Sequence, residues 1–213
     1  MALALLGSSA CALLSKADLV DIRYFSPERV QEGFNNAAPT AASQQGDLRL
    51  RLGRVSSGSS LRERIAYRNA AYERGYYEEL RWTDRPEIYV RRALGRSLFE
   101  AHGMHRVLSG ASPTLETEVV AFDDMRLSTG RAVRIQLRVV LFGDAGVIFE
   151  NTLTVDRPVA GDKPRIEDVI AAMADALDAV SEEVSLRVLE ALSARSRSQT
   201  GNSERAREPG IEP

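Results

Sequence analysis

The sequence predicts an α+β domain: an antiparallel sheet with two helices packed on one face, a two-layer sandwich. Three observations predict it. Val133, Ile135, Leu137, Val139 and Leu141 alternate with Arg134, Gln136 and Arg138, the period of a strand that covers a core on one side only. Leu115–Met125 and Val147–Val155 flank that strand across short connections, Ser128-Thr129-Gly130 and a Gly-Asp-Ala-Gly run, so the three strands form a meander. Ile166, Val169, Ile170, Met173, Leu177, Val180, Val184, Val188 and Leu192 then recur every three or four residues, the stripe of a helix roughly 40 Å long. Such a helix is stable only with its stripe buried, most simply across the meander.

The elements before the meander are shorter. Ile22–Phe25 reads as a strand stopped by Ser26 and Pro27. Residues 31–46, rich in Asn, Ala, Gln, Ser and Thr without period, read as a mobile surface insertion. Leu48–Val55 alternates apolar and basic residues over its first positions, as a half-buried strand does. Arg64–Arg68 and Tyr77–Trp82 are two further strands, joined through Tyr72 and Gly75. Pro86 suits the first position of a helix, where its missing N–H costs nothing, and Ile88, Val90, Leu94, Leu98 and Phe99 give that helix an apolar face up to Gly103. His105–Leu108 is a short strand before a Ser/Gly/Pro turn. Apolar spacing ends after Leu192, which predicts a single domain over 22–192 and a disordered tail over 193–213.

Composition narrows the function. At 213 residues, 44% apolar and 27% charged, the chain has the make-up of one globular domain with a sizeable core. A formal charge of only −2 gives no general attraction to nucleic acid, which is set aside as a partner. Nearly all the positive charge is arginine, with Lys16 and Lys163 the only lysines. No stretch is long and apolar enough for a spanning helix.

Cys11 is the only cysteine, which excludes an internal disulfide and a CxxC site. It follows an apolar run, Met1–Leu6, and small residues, Gly7–Ala10, the order of a signal segment running into its cleavage site. Residues 1–10 therefore read as a signal-peptide remnant, its basic n-region lying upstream of Met1. Residues 11–21 read as a tether lipidated at Cys11, since a cysteine at the first mature position can carry a diacylglycerol. Ser8 stands where the common lipobox prefers leucine. The competing reading is a plain apolar N-terminus with an incidental thiol.

The groups that could carry chemistry are few. His102 and His105 are three apart and could share a helix face, but Gly103 interrupts the helix and no third ligand follows, so neither a metal nor any cofactor is expected. Asp123-Asp124, adjacent on a strand, point to opposite faces and cannot share a proton; a strand end or turn suits them. No nucleophile elbow, phosphate loop or Walker lysine is present, and no enzyme is expected. Tyr67, Tyr72, Tyr76, Tyr77, Trp82 and Tyr89 crowd one segment. Tyr72, Tyr76, Tyr77 and Trp82 are the candidate partner or ligand surface, against the alternative of a core corner between strand and helix.

The stretch Arg64–Glu100 resembles the ABC-type transport auxiliary lipoprotein family. Tyr24-Phe25 in a first strand, then Tyr67, Tyr77, Trp82 and Pro86, follow the order of that family's aromatic residues and its proline-initiated helix. The likeness continues more weakly through Glu118, Phe122 and Val133–Leu141 into the long final helix, and covers most of Cys11–Leu192. The resemblance implies a lipid-anchored accessory of an ATP-driven lipid transport system, beside a permease, an ATPase and a substrate-binding protein with an MCE (mammalian cell entry) domain. Ala12 directly after Cys11 fits release to the outer membrane, on its periplasmic face. A homo-oligomer stays open. The alternative is a soluble binding domain that carries a small apolar ligand between the long helix and the sheet.

Overall fold

The computed structural model describes residues 21–29, 48–128 and 130–205, with side chains described to Ser198. One sheet holds β1 (Arg23–Phe25), β2 (Arg49–Ser57), β3 (Arg64–Ala70), β4 (Glu73–Trp82), β5 (His105–Arg106), β6 (Thr114–Leu127), β7 (Gly130–Gly143) and β8 (Gly146–Pro158). Two helices accompany it: α1 (Pro86–Gly95), continued by a wider π turn over Arg96–Ala101, and α2 (Ile166–Arg205). Cys11 and the segment 1–10 before it, the tether 11–21 apart from Asp21, the insertion 31–46 and residues 206–213 lie outside the described residues.

The meander is present. β6 pairs antiparallel with β7, and β7 with β8. The rest of the sheet is mixed, which corrects the expectation of an antiparallel one. β6 gives its other edge to two strands in succession, both parallel to it: β2 along Thr114–Val119 and β3 along Asp123–Met125. β4 runs antiparallel to β3, while β1 and β5 lie parallel along β4 and β2. Connection length explains the split. Tight turns join β6 to β7 to β8 and force antiparallel neighbours, whereas the chain from β2 to β6 passes through α1 and has length enough to return in the same direction.

Both helices lie on one face. Val133, Ile135, Leu137, Val139 and Leu141 are fully buried beneath the α2 stripe of Val169, Met173, Leu177, Val180, Val184 and Val188. α1 packs on β2 and β6 and also touches α2, so one core runs under the two helices. The α2–sheet interface is closed by these apolar side chains, which counts against a ligand carried between helix and sheet.

Local chemistry sets the helix starts. Pro86 opens α1 at its first turn. At α2 the Asp168 carboxylate accepts the Arg165 backbone N–H at 2.8 Å, the reciprocal half of a capping box. α2 ends later than the sequence reading has it, at Arg205 rather than Leu192, making it about 60 Å long. Leu192 is the last residue of the buried stripe. Beyond it, Ser193–Arg205 forms helix without an apolar face to announce it, so the first part of the expected tail is helical. No helix among the described residues is long and apolar enough to cross a membrane.

Candidate functional site

The aromatic segment does not form one surface. Trp82 is 1% exposed, edge-on to Tyr89 at 6.1 Å and to Phe122 at 5.3 Å. Tyr89 is buried too, its hydroxyl accepting the Asp84 N–H at 2.8 Å and lying 2.7 Å from Thr83 Oγ1. This pair is the core corner between β4 and α1, which corrects Trp82 as a surface residue. Tyr72 alone of the group stands free, fully exposed in the β3–β4 turn. Tyr76 is half-buried and donates to the Ser60 carbonyl at 2.9 Å, on the face away from the helices.

Tyr77 belongs to a polar cluster that the sequence reading missed. Its hydroxyl donates to Asp124 Oδ2 at 2.6 Å and accepts from Arg131 Nη2 at 2.7 Å. Arg131 also grips both oxygens of Asp124, Nε to Oδ1 at 2.9 Å and Nη2 to Oδ2 at 2.8 Å, and donates to the Pro164 carbonyl just before α2. Arg126 reaches Asp124 Oδ2 at 3.3 Å while its guanidinium lies over the Tyr67 ring, 4.1 Å from the centroid, and the Tyr77 ring, 4.6 Å. The Tyr67 ring crosses its β4 neighbour at Gly75, where an added Cβ would stand 2.4 Å from Cζ. Burial, and then the carboxylate beside it, push the Tyr77 phenol above its ordinary value. Hydrogen bonding to Asp124 raises the Arg131 guanidinium further, so the cation stays fixed.

Asp123 faces the other way, as adjacency on a strand requires. Arg68 Nε and Arg74 Nη2 both donate to its Oδ2 at 2.8 Å, and Arg74 also reaches Ser60 Oγ at 2.6 Å. Both carboxylates are fully buried inside β6, not at a strand end or turn as expected. The signal for this was a pair of acids within an apolar strand in an arginine-rich chain: buried carboxylates demand cations. Asp123 and Asp124 thus anchor two separate clusters, each carboxylate met by two arginines. Neither leaves a carboxylate open to a substrate.

The histidines also part. His102 Nε2 lies 2.9 Å from both oxygens of Glu182 and so ties the end of the π turn to α2, while His105 is exposed in β5. Among the described residues no three His, Cys, Asp or Glu side chains gather as a metal site.

The molecule is thus a two-layer α+β domain whose polar clusters serve its own packing. The sequence profile of the ABC-type transport auxiliary lipoprotein component family matches residues 34–185, and the chain belongs to that family. The family is one of transport auxiliaries rather than a class of enzymes. Among solved structures, a Xanthomonas campestris protein is similar at 20% identity and a TM-score of 0.62, over 71% of this chain and 90% of that one. A Chlamydia trachomatis hypothetical protein follows at 12% identity and a TM-score of 0.51, over 70% and 99%. At such identities these likenesses establish the fold. None of the curated proteins matches the chain.

Proposed function

We propose that the protein is a non-catalytic accessory lipoprotein of an ATP-driven system that moves lipid or another hydrophobic substrate across the bacterial envelope. The family match over residues 34–185 carries this reading. Cys11 is the anchor: an acylated N-terminus carries more than one chain, and each buried CH₂ adds about 0.8 kcal/mol, enough together for stable attachment. The tether 11–21 then holds the domain at the periplasmic face of the outer membrane. There it docks to the transporter's permease or to its MCE-domain protein.

The docking surface we assign to the β3–β4 turn, with Tyr72 at its tip and Tyr76 beside it. A fully exposed tyrosine contributes apolar area and a hydroxyl together, the combination common at interface hot spots. Trp82 and Tyr77 act behind it, in packing.

The test uses protein exported in its native host. Mass spectrometry of the mature N-terminus is expected to find Cys11 acylated, and a photo-crosslinking residue in place of Tyr72 to capture a permease or MCE-domain subunit. A bare Cys11 thiol on exported material would refute the anchor. Crosslinking that fails at Tyr72 but succeeds elsewhere moves the docking surface.

A further inference from the structure

A groove of about 400 Å³ runs between the outer side of α1 and the strands β2 and β5. Four arginines line it, Arg91, Arg92, Arg96 and Arg106, against one carboxylate, Glu100. The arginines are of two kinds. Arg92 is paired with Glu28 and Asp84, and Arg96 with Glu28, so their charge is met within the protein. Arg91 and Arg106 have no carboxylate partner among the described residues.

Both unpaired arginines are nonetheless held in place. Arg91 Nη1 donates to the Gly53 carbonyl at 2.8 Å. The Arg106 guanidinium lies over the Phe99 ring, 4.3 Å from its centroid. It also lies close to α1 at Gly95, where an added Cβ would come within 3.1 Å of Nη2. A guanidinium positioned in this way offers its remaining N–H groups without paying again to order the side chain. Planar, forked donors of this kind suit a phosphate.

The same groove has an apolar wall. Leu52 and Val107 line it, and Leu108, 86% exposed, stands at its edge. Fixed cations beside free apolar surface call for an amphiphile. We infer that this groove binds the phosphate headgroup of an anionic lipid, with Arg91 and Arg106 on the phosphate and Leu108 against the start of the acyl chain. The inference stands on the groove's own chemistry and is independent of the Cys11 anchor and of the Tyr72 docking surface.

The test is isothermal titration of the 213-residue chain, expressed without export, with dihexanoylphosphatidylglycerol below its micelle concentration. Dihexanoylphosphatidylcholine and inorganic phosphate serve as the comparison ligands. The anionic lipid is expected to bind tightest. Arg91→Gln and Arg106→Gln should each weaken it about tenfold, the worth of one hydrogen bond to a charged group. Arg157→Gln, on β8 and outside the groove, should leave it unchanged. Leu108→Gln should weaken the lipid several-fold and leave phosphate as it was. Unchanged unfolding midpoints will show that the variants fold, and Arg91→Gln, whose bond to the Gly53 carbonyl lies at the surface, keeps the test open should Arg106→Gln not fold. Equal binding of the phosphatidylcholine overturns the inference, as does phosphate binding as tightly as the lipid, or lipid affinity unmoved in Arg91→Gln.

Discussion

Thr114–Val119 and Ala121–Met125 belong to one strand and obey different rules. In the first stretch Leu115, Thr117 and Val119 are buried while Glu116 and Glu118 are exposed, so one face meets the core and the other meets water. A register shift between Val119 and Ala121 separates the two. In the second stretch every residue is buried: Phe122 and Asp124 point toward the helix side, and Ala121 and Asp123 toward the other, where Arg68 and Arg74 cover Asp123 and Arg74 reaches Ser60. The first half is held by apolar burial, which is non-directional and tolerant of substitution by volume. The second buries two charges and is held by directed bonds, which fail when one partner is missing.

The sharpest way to break this comparison is Asp124→Ala. It leaves Arg126, Arg131 and the Tyr77 hydroxyl facing one another without their anion, and is expected to cost about 3–5 kcal/mol, as removal of one partner from a buried pair does. Asp123→Ala should cost less, because only one of its oxygens is bonded and Arg74 keeps Ser60. Urea unfolding of the two variants measures the difference. Equal small losses would mean that the clusters are ornaments on an apolar core.

On the apolar side, Leu137→Ala removes a fully buried residue at the centre of β7, beneath α2. The expected loss is about 2–5 kcal/mol, the range for emptying a leucine site in a packed core. Here Leu137→Met should recover most of the stability, since volume and apolarity are kept. No equally simple rescue exists for Asp124, and Asp124→Glu is expected to stay well below wild type.

The same contrast explains what could be read in the chain beforehand. Period two in β7 and period three to four in α2 are written locally, and both stripes lie where they were expected. So does the division of Asp123 and Asp124 between faces, which follows from pleating alone. The parallel pairing of β2 and β3 with β6 was not legible, because alternation tells a strand which face to bury and not which neighbour to take. Double-sided burial over Ala121–Met125 erases alternation altogether. The aromatic segment misled for a related reason: Trp82 and Tyr72 look alike in sequence, and only the turn between β3 and β4 sends one outward while the strand end sends the other under α1.

Tyr77→Phe probes the polar half more gently. Both hydrogen bonds of the hydroxyl are lost, to Asp124 and from Arg131, but Arg131 still holds both oxygens of Asp124, so the loss at neutral pH is expected to be about 2 kcal/mol. The pH profile gives the more specific signature. The folded protein holds the Tyr77 proton more tightly than the unfolded chain, so this group's contribution is fully present below about pH 10 and is lost as pH rises beyond it. Part of the alkaline slope of wild-type stability should therefore vanish in Tyr77→Phe. An unchanged slope would place the alkaline loss in other tyrosines.

The smallest effect is expected where a charge pair has water beside it. Arg134 binds Asp156 with two bonds of 2.7 Å across β7 and β8, on the face away from the helices, and holds that carboxyl below its usual range. Geometrically the pair rivals Arg131 and Asp124, but its side chains are 39% and 48% exposed against 21% and 0%. Screening should reduce its worth to less than about 1 kcal/mol. Because the folded-state pKa is depressed, that contribution is present above the unfolded value near 4 and fades as pH falls through the folded one. Asp156→Asn should thus change urea stability little at pH 7 and narrow its difference from wild type further by pH 3. A loss approaching that of Asp124→Ala would mean that bidentate geometry, rather than removal from water, is what makes a charge in this sheet expensive to lose.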